Sequence, residues 1–176
     1  ILTAVGEDRP GIVAAVTKYL FEHECNIEGS SMTLLQGEFS IILILSCVRA
    51  MDTRKFTNDL SEKLKQFSLL INFKIHHEKQ DKTSAFQNQP FICTVHGADQ
   101  PGIVFAVTDV LQRYAVNITD VNTHRIESQN KAGYVMFLEG VLTEAVQPNQ
   151  IENELKMISQ KLDIQISFKL IESDNL

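Results

Sequence analysis

The chain carries one message twice. Asp8-Arg9-Pro10-Gly11-Ile12-Val13 returns as Asp99-Gln100-Pro101-Gly102-Ile103-Val104, 91 positions later. Between Thr3–Ile27 and Thr94–Ile118, 13 of 25 aligned positions are identical, among them Gly6/Gly97, Val16/Val107, Leu20/Leu111 and Asn26/Asn117. That density excludes two helices that merely share a hydrophobic pattern, so the chain is expected to fold as two copies of one unit. The repeated stretch reads as a strand, a glycine-bearing turn and a helix start, where backbone N–H groups stay free to hold a ligand. Two related sites in one polypeptide follow.

With 176 residues, the repeat divides the chain into a domain at 1–79, a polar linker at 80–89 and a second domain at 90–176. Each half is a small domain of marginal stability on its own. Packing between the halves is therefore expected, and homodimerisation with it. The net charge is −6, with 9 basic and 10 acidic residues in 1–79 against 6 and 11 in 90–176. No basic run exists, so direct binding to nucleic acid has no electrostatic footprint. Cys25, Cys47 and Cys93 are odd in number and widely spaced, which reads as reduced thiols in a cytoplasmic protein. No stretch is long enough to span a bilayer, and no membrane partner is expected. The chain opens at Ile1 inside a strand-like run, so an initiating segment is expected before it.

The pattern in the first half predicts a strand over Ile1–Gly6 and a helix from Pro10 to about Glu24. A hairpin follows through Asn26–Leu35 and Phe39–Val48, turning at Gln36-Gly37-Glu38. A helix capped by Asp52-Thr53 comes next, with Phe56, Leu60, Leu64 and Phe67 on one stripe, then a strand over Leu69–Ile75. The second half repeats the order as Phe91–Gly97, Pro101–Tyr114, Asn117–Ser128, Ala132–Val141, Pro148–Leu162 and Ile164–Ile171. After the hairpin the offset becomes 95 (Phe73 to Phe168, Leu60 to Leu155), which places four extra residues in the second turn, around Ser128-Gln129-Asn130-Lys131. A β-α-β-β-α-β chain with right-handed crossovers belongs to the α+β class. It gives a ferredoxin-like, four-stranded antiparallel sheet with both helices on one face and strand order 4-1-3-2. Strands two and four are then edges open to another copy.

Gly-x-Asp-Arg-Pro-Gly-Ile-Val, an amphipathic helix and then Asn-Ile together resemble the ACT domain, a regulatory module that binds small molecules, twice over nearly the whole chain. The resemblance implies a ligand, most often an amino acid, held between the first loop and the opening of the second strand at a domain–domain interface. Carried onto this sequence it implicates Asp8, Arg9, Gly11, Ile12, Asn26 and Ile27 in the first half. In the second half it implicates Asp99, Gln100, Gly102, Ile103, Asn117 and Ile118. It further implies a non-enzymatic regulator of amino-acid metabolism acting through a protein partner, with no cofactor. Serine-binding members often carry Asn where this chain has Asp8 and Asp99.

The residue chemistry agrees independently: glycine lets a ligand approach the backbone, a helix start suits a carboxylate, and Asp8 or Asp99 suits an ammonium group. The same residues have plainer uses. An Asp before Pro-Gly equally makes an Asx turn or caps the helix, and Asn26 or Asn117 equally serves a left-handed junction. His76-His77, adjacent in an extended segment, point to opposite faces and cannot chelate one metal together. His23, His96 and His124 match no ligand spacing, and no hydrolase, nucleotide-loop or zinc signature is present. Two other readings stay open: the detached regulatory portion of an enzyme, and a dimerisation module with empty sites.

Overall fold

The computed structural model describes residues 1–48, 52–75, 89–126, 132–143 and 146–171. The chain divides into two compact units, Ile1–Gln80 and Asp81–Leu176. The first contains β1 (Leu2–Glu7), α1 (Ile12–Glu22), β2 (Cys25–Leu35), β3 (Glu38–Cys47), α2 (Thr53–Lys63) and β4 (Leu70–Phe73). The second contains β5 (Gln89–Ala98), α3 (Ile103–Arg113), β6 (Asn117–Ile126), β7 (Gly133–Leu142), α4 (Pro148–Leu162) and β8 (Ile164–Leu170). No helix among the described residues is long and apolar enough to cross a membrane.

Strand order is β2-β3-β1-β4 in one sheet and β6-β7-β5-β8 in the other, all neighbours antiparallel. This is the expected 4-1-3-2 arrangement, with β2, β4, β6 and β8 as edges. Alternation along the central strands drives it: Leu2 and Ala4 of β1, like Phe91, Cys93 and Val95 of β5, are fully buried under the helices. Ile12, Val16, Tyr19 and Leu20 of α1 and Phe56 and Leu60 of α2 close the first core. Ile103, Val107, Val110 and Leu111 of α3 and Ile151 and Leu155 of α4 close the second. No polar side chain is buried in either core among the described residues.

Several boundaries differ from the sequence reading, each for a local reason. Pro10 and Pro101 lie before their helices, because Gly11 and Gly102 occupy the N-cap in left-handed geometry at φ 96°. Asp52 caps α2 as expected, its carboxylate accepting from the N–H groups of Arg54 and Lys55. That helix stops at Lys63, however, and Phe67 follows on a separate turn of 3₁₀ helix, Lys65–Phe67. Gln89, read as the last linker residue, is the first residue of β5 and pairs with Leu142. The rest of the linker, His76-His77 and Ser128–Lys131 lie outside the described residues. Phe39 pairs with Gly6 and Leu34, whereas Tyr134 pairs with Gly97 and Arg125. The offset therefore changes from 91 to 95 between Arg125 and Tyr134, so the four extra residues do lie in the second hairpin.

The register also brings together what spacing had kept apart. Cys25 and Cys47 are direct partners on the last rung of β2 and β3. Burial, then Cys47, pushes the Cys25 thiol up to about 12, and burial alone does the same to Cys93. Directly opposed residues of an antiparallel ladder have Cα atoms about 4.5–5.5 Å apart, within the span of a disulfide. A thiol oxidant such as diamide should therefore join Cys25 to Cys47 in the folded protein and leave Cys93 reduced. Peptide mapping by mass spectrometry checks it, and any other pairing contradicts the β2–β3 register.

Gly140 offers a test of packing. A Cβ there would sit 2.5 Å from the Asn117 carbonyl oxygen and 2.7 Å from the Phe91 ring, which stacks on Phe168. Gly140→Ala should cost about 1–3 kcal/mol in urea unfolding, the usual cost of overpacking. Gly133→Ala, whose Cβ would meet nothing closer than 3.5 Å, is the control that should unfold like the parent.

Candidate functional site

Both repeats build the same turn between first strand and first helix. The Asp8 N–H donates to the Gly37 carbonyl at 2.8 Å, and the Asp99 N–H to the Ala132 carbonyl at 3.0 Å, so each turn is pinned to its own hairpin. Gly11 and Gly102 then turn the chain left-handed into α1 and α3. A Cβ on Gly11 would find only the Phe67 ring, at 3.8 Å, and one on Gly102 nothing within 4 Å. Backbone geometry requires these glycines; lack of space does not. Neither helix has a side-chain cap; the Ile12 N–H donates to the Arg9 carbonyl at 3.4 Å, and the first-turn N–H groups that remain have no intrahelical acceptor. The capping role open to Asp8 and Asp99 is thereby removed.

Arg9 and Gln100 have a shared structural use despite their different chemistry. Gln100 donates from Nε2 to the Leu162 carbonyl at 2.6 Å, at the end of α4. Arg9 donates to the Gln66 carbonyl at 3.4 Å, in the matching place after α2, and pairs with Glu7 at 2.7 Å. Ile12 and Ile103 are core residues, each 1% exposed.

In the first domain the segment Asp8–Ala14, with Met32 of β2 and Phe39 of β3, lines an open hollow of about 530 Å³. Asp8, Arg9, Gly11 and Ile12 are thus brought together. Asn26 and Ile27 are not. Leu34 lies level with Gly6 across the sheet while Asn26 pairs with Ser46. Eight residues of strand at about 3.3 Å each put Asn26 roughly 25 Å from the turn. Asn117 and Ile118 stand equally far from Asp99, at the opposite end of β6. Asn26 donates to Glu28 at 2.8 Å. Ser46 hydrogen-bonds the same carboxylate, and these two bonds, Ser46 first, lower its pKa.

The sequence reading missed the walls of the turns. Met32, Leu34 and Phe39 in the first domain correspond by register to Thr123, Arg125 and Tyr134 in the second. Arg125 reaches Asp99 at 3.2 Å. The Tyr134 hydroxyl is sealed from solvent without a hydrogen bond of good geometry. Burial raises its pKa, nearby Thr123 lowers it and Asp99 raises it. Carrying the 91-residue alignment past Ile27 would have exposed the Leu34/Arg125 difference. Elsewhere, Tyr19 and His23 stack at 4.0 Å beside Phe56, Asp52, Lys55 and Asp59 around a smaller hollow of about 250 Å³. Among the described residues no three His, Cys, Asp or Glu side chains gather as a metal site.

Comparison with known proteins places this geometry in context. The model of the ACT domain family matches residues 1–74 and again residues 89–169. The glycine cleavage system transcriptional repressor of Escherichia coli is 27% identical over 97% of this chain and 89% of its own length. A UPF0237 protein of Methanosarcina acetivorans is 33% identical over 79 residues, 84% of its length, so one repeat here answers to most of that protein. A solved protein of Galdieria sulphuraria shares the fold along 97% of this chain and 96% of its own, with TM-score 0.78 at 23% identity.

The left-handed glycines give a direct test of the turn. Gly11→Ala and Gly102→Ala should each cost about 1–2 kcal/mol, since a Cβ in that region meets the following carbonyl. Denaturant titration of each variant checks it, and a neutral result at both positions contradicts the turn geometry.

Proposed function

The chain belongs to the ACT domain family, and on that premise we propose that it is a non-enzymatic cytoplasmic regulator of amino-acid metabolism. It binds an amino acid or similar small metabolite at the strand-to-helix turns and modulates a protein partner, in the manner of the glycine cleavage repressor that it resembles over 97% of its length. One observation carries the reading. Each repeat presents an uncapped helix start behind a left-handed glycine, with an aspartate beside it that does not cap the helix. A carboxylate at such a helix end gains about 0.3–1 kcal/mol from the dipole, and more when partly buried.

The register supports a regulatory link. Asn26-Ile27 and Asn117-Ile118 stand at the far ends of their own strands, so a ligand on a turn touches an Asn-Ile pair only when that pair belongs to another domain. Ligand binding and domain association are then one equilibrium, and each raises the affinity of the other by the same factor. The exposed edge strands are the surfaces by which a second copy joins. With a net charge of −6, any effect on transcription runs through a protein partner rather than DNA.

A thermal-shift screen of the common amino acids at millimolar concentration should find at least one that raises the melting temperature. Sedimentation should show the same amino acid shifting the protein toward dimer. A screen without any response leaves the dimerisation module with empty sites as the better account. Tight, sequence-selective binding of a DNA duplex at physiological salt removes the acidic-surface argument.

A further inference from the structure

The first repeat holds a pair of thiols for which the second has no counterpart. Cys25 opens β2, Cys47 closes β3, and the two face one another across the last rung of that ladder. The 91- and 95-residue offsets put Val116 and Leu142 at the matching places in the second domain, Val116 packed against its core and Leu142 within it. The fold therefore asks only for apolar bulk at these positions, and valine with leucine supplies it without sulfur. Cys93, by contrast, is sealed in the second core where the first has Leu2, and serves as an ordinary apolar filler. Cys25 and Cys47 are half-buried rather than sealed, so a small reagent reaches them at the end of the sheet. They also share a side-chain hydrogen bond, which places sulfur against sulfur, and the rung spacing is one that a disulfide spans.

We propose that Cys25 and Cys47 are a redox site: they close reversibly into a disulfide by exchange with a small disulfide of the glutathione type, and the bond clamps the open end of the β2–β3 hairpin. The site is independent of any metabolite held elsewhere in the chain. Exchange requires a thiolate, and burial, followed by the hydrogen bond with Cys47, pushes the Cys25 thiol up to about 12. Cys47 is therefore the residue that opens the reaction. Its thiolate attacks one sulfur of oxidised glutathione, the S–S bond of that molecule breaks, and one glutathione leaves carrying the proton that Cys47 gave up. Cys25 then loses its proton and attacks the Cys47 sulfur, and the second glutathione leaves with that proton. Two thiols are oxidised to one disulfide, and one glutathione disulfide is reduced to two thiols. Excess reduced glutathione runs the same steps backward. The clamp acts on a short run of ladder. The rungs of Cys25, Asn26 and Ile27 lie between Glu24, left-handed at φ 56° where the chain leaves α1, and the bulge at Glu28. Because β2 is an edge, this run is paired on one side only. Covalent closure fixes it, and across 22 positions of sequence it also removes freedom from the unfolded chain.

The test equilibrates the full chain with mixtures of reduced and oxidised glutathione, quenches with acid, alkylates the remaining thiols and maps the peptides by mass spectrometry. A single Cys25–Cys47 disulfide should form as the oxidised share rises and return to thiols when excess reduced glutathione is added. Cys93 should stay reduced throughout. In the oxidised protein the amides of Asn26 and Ile27 should exchange with deuterium roughly ten-fold more slowly, and the melting temperature should rise by about 5 °C or more. Cys25→Val combined with Cys47→Leu, the pair that the second domain uses, should fold, melt within about 2 °C of the reduced parent and ignore oxidised glutathione. A glutathione adduct that persists on either cysteine, or no reaction at any glutathione ratio, overturns the redox site. A disulfide that changes neither exchange nor melting overturns the clamp. A double variant that melts far below the reduced parent shows that packing requires the sulfur atoms, and overturns the inference drawn from the second domain.

Discussion

Each domain depends on one backbone constraint, the left-handed residue that ends the Asp-x-Pro-Gly turn. A strand leaving the middle of a sheet must reverse within a few residues if its following helix is to lie back over the same face. Gly11 and Gly102 make that reversal at φ 96°, a conformation in which any other residue is strained. From it follow the burial of Ile12 and Ile103 beneath the helix start and the absence of a side-chain cap on either helix. The exposed hollow in the first domain is a by-product of the same turn. Structure and candidate site therefore share a cause, and the motif serves the fold whether or not a ligand arrives.

Much of the architecture was legible because its signals are local. Apolar positions at helical spacing, alternating strands, a Gln-Gly hairpin turn and an Asp52 cap each declare themselves within a few residues. The strand order then followed from crossover handedness. What was not legible depends on register. Cys25 and Cys47 are 22 positions apart in sequence yet share a rung. Arg125 meets Asp99 from the far edge of its sheet. The roughly 25 Å between Asn26 and the turn comes from strand length, and a motif of fixed sequence spacing carries no record of direction. Arg9 and Gln100 show the opposite case. Unlike side chains at one position do the same thing: Gln100 reaches a carbonyl at the end of its second helix and Arg9 one just beyond the end of its own.

The pair of domains also separates what duplication preserves from what it releases. Preserved are the turn, the tie to the hairpin tip, the tie to the second helix and the sheet order, all of which stabilise a small domain with little core to spare. Released are the walls of the hollow, where an apolar side chain or an ion pair is equally compatible with the fold. Chemistry thus diverged at the residues that the backbone does not need.

The edge strands carry one further consequence. In both β2 and β6 the register slips at the same place, between Ile27 and Gly29 and between Ile118 and Asp120, leaving Glu28 and Thr119 as bulges. A bulge sharpens the local twist and breaks the row of backbone groups that a flat neighbour would read. The opposite edges, β4 and β8, pair without such a shift, so within each sheet the bulged edge is the poorer template for continuous strand addition.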